Sequence, residues 1–314
     1  MTVYEKNMLV LKDTRMDLYE KMQQASKSTF YAKIYSGVAL DNEKFLAIVD
    51  EEKIVPLAST YSPVHEAEIY ASQYREEWDD VSLVLFGFGN IETVVQIMSD
   101  ACPIQKCIVY EPSIEIFRKV MEEYLIEELL SNPNLLIIVE GINENLFEKA
   151  LDEASNYRNW KNFYFTTFWS YERLFGDKLK EIRKIYDRIM DNKQSELKTL
   201  SHFAKAGLEN EIRAFYWMIE GKTLDSMVGI FPADLPCIVV AAGPSLEKNA
   251  NALKQAKGKA FIICVDTALN YLLERGIIPD MTCTVDPQKG IEYFTNSNVA
   301  DIPIAVSTDS DIVY

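Results

Sequence analysis

The chain has 314 residues, of which 48% are hydrophobic, and a formal net charge of −16. The length fits about two domains, and the apolar content is that of a globular chain, not a disordered one. So negative a balance argues against a nucleic-acid backbone or an anionic lipid as the main partner, yet leaves room for a small anion held by backbone N–H groups.

In chain order, the opening "MTVYEKNMLVLKDTRMDLYEKM" scatters its charges and has no apolar core like that of a signal peptide. No window reaches the roughly 18 apolar residues of a membrane span, and five cysteines, odd in number and mostly in or beside apolar runs, make cytoplasmic the expected location. Residues 1–35 read as polar helices. "SGVALDNEKFLAIVDEEKIVPLAST" reads as a strand, a polar turn, and paired strands around Asp50-Glu51-Glu52-Lys53. A regular alternation follows, with helices in "EAEIYASQY", "IETVVQIMSD", "SIEIFRKVMEEYL" and "ENLFEKALDEASNY". Between and after them stand apolar strands in "SLVLFGFGN", "KCIVYEP", "NLLIIVEG" and "NFYFTTF". Wholly apolar strands alternating with helices imply a parallel sheet covered on both faces.

From 170 to 220 the sequence is charged, 3.6-periodic and free of strand patterns, and reads as two or three helices. Pro232 and Pro236 close this stretch. A second alternation begins, with strands in "CIVVAA", "KAFIICVD", "MTCTVDP" and "IPIAVSTD" and helices in "SLEKNANALKQAK" and "TALNYLLERG". The expected class is therefore α/β in three parts. Residues 1–170 form an N-terminal domain with a small β-hairpin and a Rossmann-like unit, and 171–230 a helical connector. Residues 231–314 start a second doubly wound α/β domain, which is expected to be incomplete at its C-terminal end.

Two glycine turns stand out. "LVLFGFGNIETVVQIM" places Gly87 and Gly89 between strand and helix, without the third glycine of a dinucleotide fingerprint, and Glu111 ends the next strand. That spacing suits a dinucleotide or S-adenosylmethionine site, and equally a scaffold that keeps its glycines for geometry. In "CIVVAAGPSLEKNANAL" three features converge. Gly243 lets the backbone approach a ligand, Pro244 suits a first helical turn, and Ser245 adds a hydroxyl where free N–H groups favour an anion. Asp266-Thr267 and Asp286-Pro287 end the next two strands. If those strands are parallel, all three ends share the sheet edge where open α/β sheets bind ligands. The competing reading makes Ser245 and Asp266 helix N-caps. Four of the five cysteines lie in or beside apolar strand-like runs and read as reduced, buried thiols. Cys102 and Cys107 lack a second Cys/His pair nearby, so no metal site is expected. His65 and His202 lie outside both motif regions and read as structural.

"VVAAGPSLEKNANAL…IICVDTALNYLLERGIIPDMTCTVDP" resembles the central domain of the motility-associated factor (Maf) family, cytoplasmic glycosyltransferases that modify flagellin. The same motifs are similar to the 6-hydroxymethylpterin diphosphokinase MptE-like family. The G-P-S-L turn also resembles one that lies against CMP in a bacterial sialyltransferase family. The resemblance is close over about residues 235–290 and looser before them. It implies a sialyltransferase-like second domain and transfer of a nonulosonic sugar from a CMP donor to Ser or Thr of flagellin. By the same resemblance Gly243, Pro244 and Ser245 hold the phosphate, Asp266 and Thr267 lie near ribose or base, and Asp286 is catalytic beside the reacting sugar. No cofactor is then required. The diphosphokinase alternative uses ATP with Mg²⁺ held by carboxylates such as Asp266 or Asp286. A third class is a non-catalytic flagellin-binding protein with a vestigial nucleotide site.

Overall fold

The computed structural model describes residues 1–24, 30–50, 53–74, 81–99, 104–156, 159–288, 294, 299 and 301–310. Cys102 and the turn residues Glu51 and Glu52 lie outside the described residues. By contacts the chain divides into two compact units, Met1–Glu196 and Leu197–Tyr314.

The first unit opens with α1 (Val3–Thr14) and α2 (Met16–Gln24). A capping box starts α1: the Thr2 side chain accepts from Glu5 N, and the Glu5 carboxylate accepts from Thr2 N. β1 (Ile34–Val38), β2 (Lys44–Asp50) and β3 (Lys53–Pro56) then form an antiparallel three-stranded meander. The alternation follows as α3 (Pro63–Ser72), β4 (Val81–Phe86), α4 (Ile91–Ile97), β5 (Ile104–Glu111), α5 (Ile114–Glu123), α6 (Glu127–Ser131), β6 (Leu135–Val139), α7 (Phe147–Ala154) and β7 (Phe163–Thr167).

These strands make a parallel sheet in the order β6-β5-β4-β7. Every residue of β4 is buried, as a run apolar at all positions but Ser82 suits in a central strand covered on both faces, and the Ser82 hydroxyl accepts the Asn159 amide at 3.2 Å. Each fully buried Leu or Phe of this core contributes roughly 2 kcal/mol of hydrophobic stabilisation. The helices start where the chain supplies caps: Ser62, Asn90 and Ser113 each accept a backbone N–H of the following turn. Fully buried Asn7 ties α1 to the end of α5. Its amide donates to the Met121 and Tyr124 carbonyls at 2.9 and 2.7 Å, and its oxygen accepts Ile126 N at 3.0 Å.

The charged stretch after β7 is the short α8 (Trp169–Leu174) and a single 45-residue helix, α9 (Gly176–Glu220). The boundary between the two units falls within α9. Ile182 and Ile189 of α9 are buried in the first core, while Asn210 and Ala214 are buried in the second unit. That second unit continues as β8 (Cys237–Val240), α10 (Pro244–Ala256), β9 (Phe261–Val265), α11 (Asp266–Glu274), β10 (Met281–Thr284) and β11 (Ile304–Val306). Its sheet is parallel, in the order β11-β10-β9-β8. Leu246, Ala250 and Leu253 of α10 and Ala268, Leu269 and Leu272 of α11 share one core cluster with Val240, Ile262 and Cys264. Among the described residues no helix is long and apolar enough to cross a membrane.

Candidate functional site

All four strands of the second sheet are parallel, so the residues that follow them lie along one edge. β8 leads into Gly243, Pro244 and Ser245, β9 into Asp266 and Thr267, β10 into Asp286, and β11 into Ser307 and Asp309. The three groups picked from the sequence are thus brought to the same edge, the side on which open α/β sheets receive ligands.

Gly243 occupies the N-cap position of α10, no side chain caps that helix, and Pro244 sits in the first turn. Ser245 therefore does not cap the helix, and its side chain is exposed on the first turn, where Pro244 brings no N–H and Leu246 N donates to the Gly243 carbonyl at 2.9 Å. A Cβ on Gly243 would meet no heavy atom closer than Ser245 Oγ, at 3.9 Å. The chain's own packing does not call for glycine here.

Asp266 is held from two directions. Its Oδ1 accepts Thr267 N at 2.5 Å, and its Oδ2 accepts the Thr284 hydroxyl of the neighbouring strand at 2.6 Å. The carboxylate is thereby fixed at the start of α11, where the helix dipole favours its charge. Asp286 is half-buried and accepts Gln288 N at 2.9 Å, a local turn that sets the direction of the loop.

The sequence reading missed four residues that shape this edge. Thr284 is one. Asn210, buried on α9, is the second: its amide nitrogen donates to the carbonyls of Pro287 and Asp309, both at 2.9 Å, and so ties the loops after β10 and β11 together. Ser307 and Ser310 are the others: the Ser307 hydroxyl donates to Asp309 Oδ1, and the Ser310 hydroxyl donates to the Thr284 carbonyl at 3.2 Å. Asp280 stands before β10, at the opposite edge, where it pairs with Lys257 and accepts Ile262 N at 2.9 Å.

The first glycine turn is built differently. Gly87 has φ +108°, and added Cβ atoms at Gly87 and Gly89 would come within 2.5 and 2.6 Å of the Tyr171 ring. Glu111 is fully buried. Its Oε2 accepts Phe88 N at 2.8 Å and the Tyr171 hydroxyl at 2.7 Å, and its Oε1 accepts Ser113 N at 3.0 Å. Burial pushes its carboxyl up to about 8, while these three donors pull the other way.

His65 is exposed 3.6 Å from Glu68, and exposed His202 lies edge-on to Phe203. Cys107, Cys237, Cys264 and Cys283 are free thiols, and burial raises the pKa of Cys264 and of Cys283. Among the described residues no group of three His, Cys, Asp or Glu side chains is placed to hold a metal ion.

Residues 209–312 match the family described as 6-hydroxymethylpterin diphosphokinase MptE-like, a segment that takes in Asn210 and every edge residue named above. No curated protein matches the chain significantly. Among solved structures, a Maf glycosyltransferase from Magnetospirillum magneticum AMB-1 aligns over 98% of this chain at 12% identity, with a TM-score of 0.50. The chain spans about half of that protein, 54% of its length. A spermidine synthase from Thermotoga maritima aligns over 38% of this chain and 42% of its own at 13% identity, with a TM-score of 0.25, too low to bear on the fold. Residues 209–312 thus match the MptE-like family, and the chain as a whole shares its α/β fold with a Maf glycosyltransferase, which bears out both halves of the resemblance read from the sequence.

Proposed function

We propose that the chain is the nucleotide-binding part of a cytoplasmic glycosyltransferase that moves a nonulosonic, sialic-acid-like sugar from a CMP donor to Ser or Thr hydroxyls of flagellin. One observation carries this reading. Within the segment that matches the family, a glycine-proline-serine helix start and two strand-ending aspartates lie on one edge of a parallel sheet.

The chemistry suits those groups. When CMP leaves a sialic-acid-like centre, negative charge gathers on the phosphate and positive charge on the sugar. The Ser245 N–H and hydroxyl, together with the positive end of the α10 dipole, stabilise the phosphate. Asp266 and Thr267 take the ribose or base. Asp286 faces the reacting sugar, where a carboxylate stabilises the developing cation or accepts the proton of the attacking hydroxyl. Asp286→Asn should then retain CMP binding and lose transfer.

The match to a diphosphokinase family favours a second reading, in which ATP binds at the same edge. Two aspartates beside a polyphosphate repel it unless a divalent cation lies between, so Asp266 and Asp286 would hold Mg²⁺ and ATP binding would require it. Titration of CMP and ATP with EDTA present separates the two. The glycosyltransferase reading predicts that CMP binds without metal. Tight ATP binding that disappears on chelation, with CMP inert, would replace it with the kinase reading.

A further inference from the structure

The order β6-β5-β4-β7 reverses its direction of winding between β4, the first strand of the sheet in the chain, and β7, the last. In open α/β sheets that reversal opens a crevice beyond the carboxyl ends of the two strands, and the ligand sits there. β4 brings Gly87–Gly89 to this crevice, β5 brings Glu111, and β7 is followed by α8, which carries Tyr171.

Tyr171 fills the crevice. Its side chain is fully buried, and its ring covers the glycine turn so closely that a Cβ at Gly87 or Gly89 would fall within 2.6 Å of it. Its hydroxyl donates to Glu111 Oε2 at 2.7 Å. Phe86 packs against the ring edge-on at 6.2 Å between centroids, with Phe175 at 5.5 Å and Phe168 at 6.1 Å. In a nucleotide-binding sheet of this order, the glycine turn lies under the phosphates and the strand-ending acid accepts the ribose hydroxyl. Here one phenol takes both places, ring on the glycines and hydroxyl on the acid.

We propose that Tyr171 is an internal ligand that stands in for the ribose and phosphate of a nucleotide, closes the crevice of the first sheet, and is the group for which Gly87, Gly89 and Glu111 are kept. The proposal is independent of what binds the second sheet. It also explains a contrast between the two turns, since Gly89 is required by a neighbouring ring and Gly243 by nothing in the chain.

The test uses the full chain in three arms. In the wild type, adenosine, S-adenosylmethionine and NAD should leave the NMR amide signals of Phe88 and Gly89 unmoved at millimolar concentration. A saturable shift of those amides would overturn the proposal without any variant. Gly89→Ala and Tyr171→Leu should each lower the melting temperature, and the double variant should lose clearly less than their sum. The relief is partial because the Leu57 carbonyl still lies 3.0 Å from the new Cβ. Strictly additive losses would mean that the glycine is not kept for the ring. Tyr171→Ala should be stabilised by 4-methylphenol, which restores the lost ring and hydroxyl, and less by toluene, with no effect of either on the wild type. Equal rescue by both compounds would remove Glu111 from the account.

Discussion

The Thr284 hydroxyl lies 2.6 Å from Asp266 Oδ2, so the side chain at the end of β10 holds the acid at the end of β9. Thr284 is buried and Asp266 only half-buried, and this contact fixes one carboxylate oxygen at the edge of the sheet. Thr284→Val keeps shape and burial and removes the donor. It should weaken CMP binding by about 1 kcal/mol, or about fivefold in Kd. Calorimetric titration beside a thermal melt checks this. Unchanged affinity with a lower Tm would make the contact purely structural.

Gly243 and Gly87 should respond in opposite ways to alanine. Gly243 has φ −96° and an open surround, so Gly243→Ala should leave stability within about 0.5 kcal/mol and weaken CMP by obstructing its phosphate. Gly87→Ala meets both φ +108° and the Tyr171 ring at 2.5 Å, and should cost about 2 kcal/mol or more. Urea unfolding of the two variants reads the difference directly.

Ser245→Ala should weaken CMP by about 1–2 kcal/mol, the size of one hydrogen bond to a charged group, with little effect on the melt. The small stability effect follows because Gly243, not Ser245, is the N-cap of α10. A large drop in Tm with affinity unchanged would restore the capping role.

Asn210→Ala should be costlier to the fold. It leaves the Pro287 and Asp309 carbonyls without their donor, at about 1–3 kcal/mol. The loops after β10 and β11 then lose their common tie, and CMP affinity should fall together with stability. Affinity that survives a clear stability loss would detach those loops from the site.

Glu111 makes a pH prediction. Desolvation raises its folded value to about 8, above an unfolded value of about 4.3. The neutral acid is the form the fold favours, so its contribution is fully present below about pH 4.3 and is lost as pH rises through about 8. Relative to Glu111→Gln, which cannot ionise, the wild type should lose unfolding free energy steadily between pH 5 and 8. A difference between the two proteins that stays flat over that window would contradict the assignment.

Much of this architecture was legible in local pattern. β4 reads "VSLVLF" and is buried at every position, and the other apolar runs of the alternation likewise became parallel strands. The turn at Gly243 and the acids at 266 and 286 were legible because each directly follows such a run. What escaped the sequence was long-range. Tyr171 meets Glu111 across 60 residues, and Asn210 meets Pro287 and Asp309 across 77 and 99. No local spacing announces such contacts. A weaker signal was present in Gly207, Asn210 and Ala214, small or polar residues at i, i+3 and i+7 of a charged helix, which proved to be its buried face. Thr284, a buried hydroxyl two residues before Asp286 at the end of β10, was a second.

The start of α10 is where a nucleotide should sit. Amide chemical-shift mapping of the full chain during a CMP titration in EDTA decides it. The prediction is saturable movement of the Ser245, Leu246 and Thr267 amides, with Phe88 and Gly89 unmoved. No movement at the start of α10 up to millimolar CMP, or movement confined to the Gly87–Asn90 turn, would contradict it.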